Sequence, residues 1–182
     1  MPTSPSRILR AVAFAADRHR FQRRKDEEAS PYINHPIEVA EVLSIEAGVD
    51  DEVTLIAALL HDTVEDTETT IEEIGELFGP MVAAVVAEVT DDPTLPRNER
   101  RRIQLERAGG ASREAKLVKI ADKICNIRDV VSRPPTGWSF ERRREYVLWA
   151  AAVAKNCAGI IPHLDTVAEN ELSRAMATIG NP

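Results

Sequence analysis

The sequence predicts an all-α protein, a single-domain helical bundle of about nine helices. Three observations lead there: alanine supplies 24 of the 182 residues, aromatic residues only 4%, and no stretch sustains the period-2 alternation of β-branched residues that marks a strand. Glycine and proline then divide the chain at helix-sized intervals. With 43% apolar and 29% charged residues the composition fits one domain with an ordinary core, expected over residues 1–182 with its core at about 6–178. No linker, internal repeat or low-complexity stretch suggests a second domain.

In the first helix Ile8, Val12, Ala15 and Ala16 share one face. Residues 31–36, bounded by prolines, separate it from a helix over 37–47 that Gly48 ends. Asp50 and Asp51 put negative charge before a helix over 53–61, where the helix dipole favours it. Thr70 and Glu73 have the spacing of a capping box before Ile74 and Leu77, and Gly79-Pro80 stops that helix and opens another over 81–89. A loop over 91–96 leads to a basic helix over 97–108, and Gly109-Gly110 precedes a long helix from Ser112 to about Val131. After the loop at 134–137 come helices over 140–157 and 162–178, then a frayed 180–182.

A net charge of −7, from 23 Lys+Arg against 30 Asp+Glu, argues against nucleic acid or an anionic membrane as partner, since phosphates are held mainly by Lys and Arg. An anionic small molecule must then be met by a local basic patch. Cys125 and Cys157 stand 32 residues apart with no CxxC context and read as buried fillers in a reducing compartment. The apolar run 11–16 is too short for a signal peptide core or a membrane span, so the expected location is cytoplasmic.

Chemistry concentrates at His61-Asp62-Thr63-Val64-Glu65-Asp66, which closes the apolar run 55–60. If that run stays helical, Glu65 falls four residues after His61 and three after Asp62, and Asp66 four after Asp62, so these groups share one side of a turn. Adjoining carboxylates at the end of a core helix are unfavourable unless a cation or a pKa shift compensates. His35 precedes Pro36 and is expected to project from the N-terminal cap of a helix beginning there. Asp122 and Asn126 lie four apart on one face of the long helix. His35, His61, Asp62 and Asp122 form a nitrogen and oxygen donor set without thiolate, suited to one catalytic Mn²⁺, Fe²⁺ or Zn²⁺.

Arg24-Lys25 followed by Pro31-Tyr32-Ile33-Asn34-His35-Pro36, then His61 to Thr67, Phe78-Gly79 and Lys119 to Asp129, closely resemble the hydrolase domain of RelA/SpoT-type proteins, a member of the HD phosphohydrolase superfamily. Gly137-Trp138-Ser139, Glu145-Tyr146 and Trp149-Ala150-Ala151 extend the resemblance to about Lys155. Since it leaves no room for a synthetase, the chain is most similar to the stand-alone small alarmone hydrolases. The resemblance implies an all-helical fold that holds Mn²⁺ through His35, His61, Asp62 and Asp122, with Glu65 and Asp66 acting on the attacking water. It also implies removal of pyrophosphate from the 3′ position of ppGpp or pppGpp, giving GDP or GTP. Either Glu65 or Asp66 can protonate the departing 3′ oxygen, and the sequence does not divide those roles.

By the same resemblance Arg24 and Lys25 face base and phosphates, Tyr32 shapes the pocket and Asn126 bonds the ribose or its phosphate, with Arg142, Tyr146 and Lys155 as further substrate contacts. The arginines at 97, 100, 101 and 102 and at 142–144 read as solvated helix faces more than as groups reaching a phosphate tail, and Trp138, Tyr146 and Trp149 as core anchors more than substrate platforms. His19 and His163 have no clustered partners. The loop Asp26-Glu27-Glu28-Ala29-Ser30 is more acidic than the family's small loop and is expected near the nucleotide, which leaves base preference open, and the second reading is an HD phosphatase of another nucleotide, such as NADPH by removal of its 2′-phosphate or a nucleoside monophosphate. A catalytically silent alarmone-binding protein is the third reading. The sequence does not decide whether the chain forms a homo-oligomer.

Overall fold

A computed structural model describes residues 4–179; the tail read as frayed, 180–182, lies outside them. Among the described residues ten α-helices form: α1 (Ser4–Arg18), α2 (Asn34–Glu41), α3 (Glu52–Leu60), α4 (Thr63–Asp66), α5 (Ile71–Phe78), α6 (Pro80–Val89), α7 (Arg97–Ala108), α8 (Arg113–Ser132), α9 (Phe140–Cys157) and α10 (Pro162–Ile179). Nine match the expected segments; the tenth, α4, is a single turn. Among the described residues no strand forms, only an isolated bridge between Arg23 and Pro31. None of these helices is long and apolar enough to cross a membrane.

The core surrounds α3, in which Thr54 to Leu60 are all buried. A helix buried on every side must be apolar all round, as the run Leu55-Ile56-Ala57-Ala58-Leu59-Leu60 is. Helices α1, α2, α6 and α8 pack against it, while α9 and α10 pack on α8. A smaller cluster of Ile127, Val130, Val147, Ala150, Ala175 and Ile179 joins the far end of α8 to α9 and α10. Both cysteines are buried and unpaired, and burial raises each thiol's pKa.

Helix starts follow their caps. Asp51 accepts from the Thr54 amide at 2.8 Å, Ser112 from Ala115 at 3.2 Å and Ser139 from Arg142 at 3.3 Å. The capping box at Thr70 is only half made: Thr70 accepts from the Glu73 amide, but the Glu73 carboxylate pairs with Arg18 instead of turning back. Two boundaries near the site differ from the sequence reading. The second helix begins at Asn34, so His35 sits inside its first turn and not at a cap. Pro36 is tolerated there because its missing N–H has no helical acceptor to lose. The helix then continues as a π turn, Val42–Glu46, closed by the Ala47 amide on the Val42 carbonyl, and Gly48 leaves it at φ +65°.

Candidate active site

Three chain segments bring the four expected ligands together. The first turn of α2 supplies His35, the middle of α8 supplies Asp122, and the junction of α3 and α4 supplies His61 and Asp62. That junction is not continuous helix: α3 stops at Leu60, one residue before the expected end at His61. Asp62 relaxes to φ −97°, ψ −4°, while the Thr63 hydroxyl donates to the Leu60 carbonyl at 2.6 Å and satisfies the broken end. His61 Nδ1 donates to the Ala58 carbonyl at 2.7 Å, which leaves Nε2 as the lone-pair nitrogen.

His35 Nε2 lies 3.1 Å from Asp122 Oδ1 and 3.8 Å from Asp62 Oδ2; His61 Nε2 lies 3.1 Å from Asp62 Oδ2 and 3.8 Å from Asp122 Oδ1. The donor atoms of His35, His61 and Asp62 all fall within 4.8 Å of one another. Imidazole lone pairs directed at carboxylate oxygens repel unless a proton or metal ion stands between them. Burial alone would lower the His61 pKa, yet Asp62 and Asp122 raise it to about 9. Burial disfavours both carboxylates, but the imidazoles beside Asp62, and Lys123 with the imidazoles beside Asp122, hold the two well below the ordinary range. That field favours a cation, and two nitrogens with two hard oxygens suit a divalent first-row ion.

Neighbouring groups fix the ligands in turn. The Tyr32 hydroxyl donates to Asp62 Oδ2 at 2.6 Å, and burial together with Asp62 keeps that phenol protonated. Asn126 Nδ2 donates to Asp122 Oδ1 at 2.5 Å, and Lys123 Nζ lies 2.7 Å from Asp122 Oδ2. Such partners fix the orientation of the ligands.

The two carboxylates expected to act on water are held differently. Glu65 Oε1 accepts from Arg100 at 3.0 Å and Oε2 from the Asp91 amide at 3.2 Å. Burial, helped by Asp62 and Asp91, lifts its pKa from 4.5 to about 7. Asp66 is exposed and accepts from Gln22 Nε2 at 2.8 Å.

Beside this cluster lies a cavity of about 580 Å³, lined on one side by Arg23, Arg24, Lys25 and Tyr32 and on the other by Trp138, Arg142, Tyr146 and Trp149. Arg24 stacks over Tyr32 at 5.5 Å and pairs with Asp129. Arg142 lies 4.5 Å above Trp138, and Arg101 sits 4.8 Å over Trp149 and 5.2 Å over Tyr146.

Several sequence expectations need correcting. Lys155 is exposed outside the lining, about 20 Å along α9 from Arg142 at 1.5 Å per residue. Arg97, Arg100 and Arg101 face the cavity and are not a solvated stripe; of that run only Arg102 turns out, to Glu99 and Glu106. Trp138, Tyr146 and Trp149 both pack on the core and wall the cavity. Asp26 reaches the lining, but Ser30 caps its carboxylate through backbone and hydroxyl, and Glu27 and Glu28 are not part of the wall. Lys119 and Lys123, both buried and both lining the cavity, were missed. Their signal was present: two lysines four apart share a face of α8 in a segment otherwise apolar enough to be core.

The HD-domain family matches residues 11–151. The mouse guanosine-3′,5′-bis(diphosphate) 3′-pyrophosphohydrolase MESH1 is 54% identical over 165 residues, covering 91% of this chain and 92% of the relative. The human MESH1 protein is 50% identical over 179 residues, covering 98% and 100%. A solved structure described as "A metazoan ortholog of SpoT hydrolyzes ppGpp and plays a role in starvation responses" superposes with a TM-score of 0.90 at 44% identity, covering 96% of this chain and 97% of that one. The match spans the segments that carry His35, His61, Asp62 and Asp122, and the chain belongs to the HD-domain family alongside the MESH1 proteins.

Proposed function

We propose that the chain is a metal-dependent 3′-pyrophosphohydrolase of guanosine 3′,5′-bis(diphosphate), working as one HD domain over residues 1–182 with its core at about 6–178. The observation that carries the reading is the convergence of His35, His61, Asp62 and Asp122 beside a cavity rich in arginine and lysine. The close likeness to proteins named for that activity supports it.

His35, His61, Asp62 and Asp122 are assigned to hold one Mn²⁺. When bound, such an ion lowers the pKa of water and draws charge from a phosphoryl oxygen. The protein's own groups do the rest. Burial and the neighbouring carboxylates raise the Glu65 pKa to about 7 in the metal-free protein, and the group is assigned to take a proton from the attacking water and return one to the leaving 3′ oxygen. Arg100 and the Asp91 amide keep its carboxylate in place through that exchange. Asp66, held by Gln22, is assigned to orient that water.

The substrate's charge is met at two ends of the cavity: Arg24, Lys25, Tyr32 and Asn126 on the α1–α2 side and α8, and Arg142 and Tyr146 on α9. Arginine stacked on an aromatic ring is pre-positioned to grip phosphate bidentately. Arg142→Ala is expected to raise KM for ppGpp roughly tenfold, the scale of one charge-assisted hydrogen bond, without changing bound metal. An unchanged KM takes Arg142 out of the substrate set.

The reading is tested by incubating the purified protein and Mn²⁺ separately with ppGpp, pppGpp and NADPH. Pyrophosphate with GDP or GTP is expected from the first two. No pyrophosphate from either, with orthophosphate from NADPH, would replace it with the 2′-phosphatase reading; no product at all would leave a binding protein. We place the protein in the cytoplasm, in keeping with an apolar run at 11–16 too short for a signal peptide core.

A further inference from the structure

Resting on the function proposed above, we infer that His19 is a positioning residue of the hydrolytic site, fixing the Gln22 amide so that Gln22 holds the Asp66 carboxylate in its working orientation. His19 follows α1 directly and is 1% exposed. It belongs to no cluster of three or more side chains close enough to share a cation among the described residues. Its Nδ1 lies 2.6 Å from Gln22 Oε1, and Gln22 Nε2 lies 2.8 Å from Asp66 Oδ2.

The chemistry of the three groups gives this chain one direction. An ionised carboxylate only accepts, so Gln22 must turn its NH₂ toward Asp66 and its carbonyl oxygen toward His19. That oxygen in turn needs a donor, which His19 supplies as the Nδ1–H tautomer. The cost appears on the other ring nitrogen: Nε2 is buried with no hydrogen-bond partner. A phenyl or isobutyl group would fill the same space without leaving a polar atom unsatisfied. The histidine is therefore poorly explained as packing and well explained as an orienting donor.

Two further contacts fit that role. Gln22 is the one side chain that bonds Asp66 among the described residues, and Asp66 is otherwise an exposed carboxylate on a four-residue turn. The His19 ring also lies 4.9 Å from the Tyr32 ring, whose hydroxyl bonds Asp62. Backbone bonds tie the segment together, from the Gln22 amide to the His19 carbonyl at 2.9 Å and from the Tyr32 amide to the Gln22 carbonyl at 3.2 Å. One buried ring thus backs the supports of both Asp62 and Asp66.

The test uses the full chain loaded with Mn²⁺, measuring kcat and KM for ppGpp, bound metal and melting temperature in Gln22→Met, His19→Phe and His19→Asn. Gln22→Met keeps the length of the side chain and removes the donor to Asp66; His19→Phe keeps the ring against Tyr32 and removes the donor to Gln22. Both are expected to lower kcat about tenfold or more, as misplacing a catalytic group does, with KM and metal content held within about twofold. His19→Asn carries an N–H donor on its γ-carbon, as histidine does, and is expected to recover kcat to within about threefold of wild type. Wild-type kcat in Gln22→Met overturns the proposal, as does His19→Asn no more active than His19→Phe, or a loss of kcat matched by a loss of metal. If His19→Phe does not fold, the half-buried Gln22→Met decides alone. A wild-type protein inert toward ppGpp removes the proposed function and this inference with it, whereas an active wild type with an unaffected Gln22→Met removes only the inference.

Discussion

In Asp122→Ala, bound metal and turnover are both expected to be lost, turnover by at least about 10³-fold, since a Lewis acid that supplies several kcal/mol of transition-state stabilisation goes with its ligand. Asp122 is the group on which the site's charges meet. One oxygen faces His35 and accepts from Asn126, the other pairs with Lys123. Its removal also leaves the buried Lys123 ammonium without its carboxylate, a change that costs about 3–5 kcal/mol where a buried pair is broken. Asp122→Asn separates the two effects, because it keeps the volume and one acceptor while giving up the ligand charge. It is expected to fold, to bind metal weakly and to be nearly inactive. Full activity in metal-stripped Asp122→Ala would refute the ligand assignment.

Glu65→Gln is expected to lower turnover by about 10²-fold or more while the metal still binds, the scale of a lost general acid or base. The same substitution should move stability the other way. In the folded chain Glu65 titrates near 7 instead of 4.5, so folding takes up a proton between those values and stability falls as pH rises through them. The destabilisation is absent below pH 4.5 and fully present above about 7. Glutamine has no such proton, so the metal-free variant should melt above metal-free wild type at pH 8 and no higher at pH 4. Unchanged turnover would take Glu65 out of the mechanism; an unchanged melting difference between the two pH values would show that burial does not hold its proton. The fold is thus less stable for keeping a carboxyl where the chemistry needs one, which is common at sites tuned toward neutrality.

Much of this was legible in the sequence because the informative residues are dense and local. His61-Asp62 closes an apolar run that must be core, and His35 and Asp122 sit in motifs recognisable residue by residue. The nine longer helices followed from Gly, Pro and cap residues, several to within one residue. Where the reading failed, the deciding contact lay outside the local segment. A helix start at Asn34 depends on how His35 turns toward α8. The direction of Arg97, Arg100 and Arg101 is set by Trp138, by Glu65 and by the aromatic rings of α9 in turn, which no pattern inside α7 records. The Glu73 carboxylate fits a capping box until Arg18 competes for it. Lys155 continues a recognisable segment, yet helix geometry carries it past the end of the cavity. The role of His19 escaped because its partners, Gln22 and Tyr32, are polar groups of the following loop and not further histidines or acids.

The central claim is that one divalent ion, held by His35, His61, Asp62 and Asp122, drives release of pyrophosphate from the 3′ position. It is tested most directly by stripping the protein of metal and titrating Mn²⁺ back while following bound metal and pyrophosphate from ppGpp together. The account predicts no turnover in the stripped protein, and turnover rising in proportion to occupancy and levelling at one ion per chain. Pyrophosphate release at the full rate in the presence of a chelator, or occupancy that fills without any release, would contradict it.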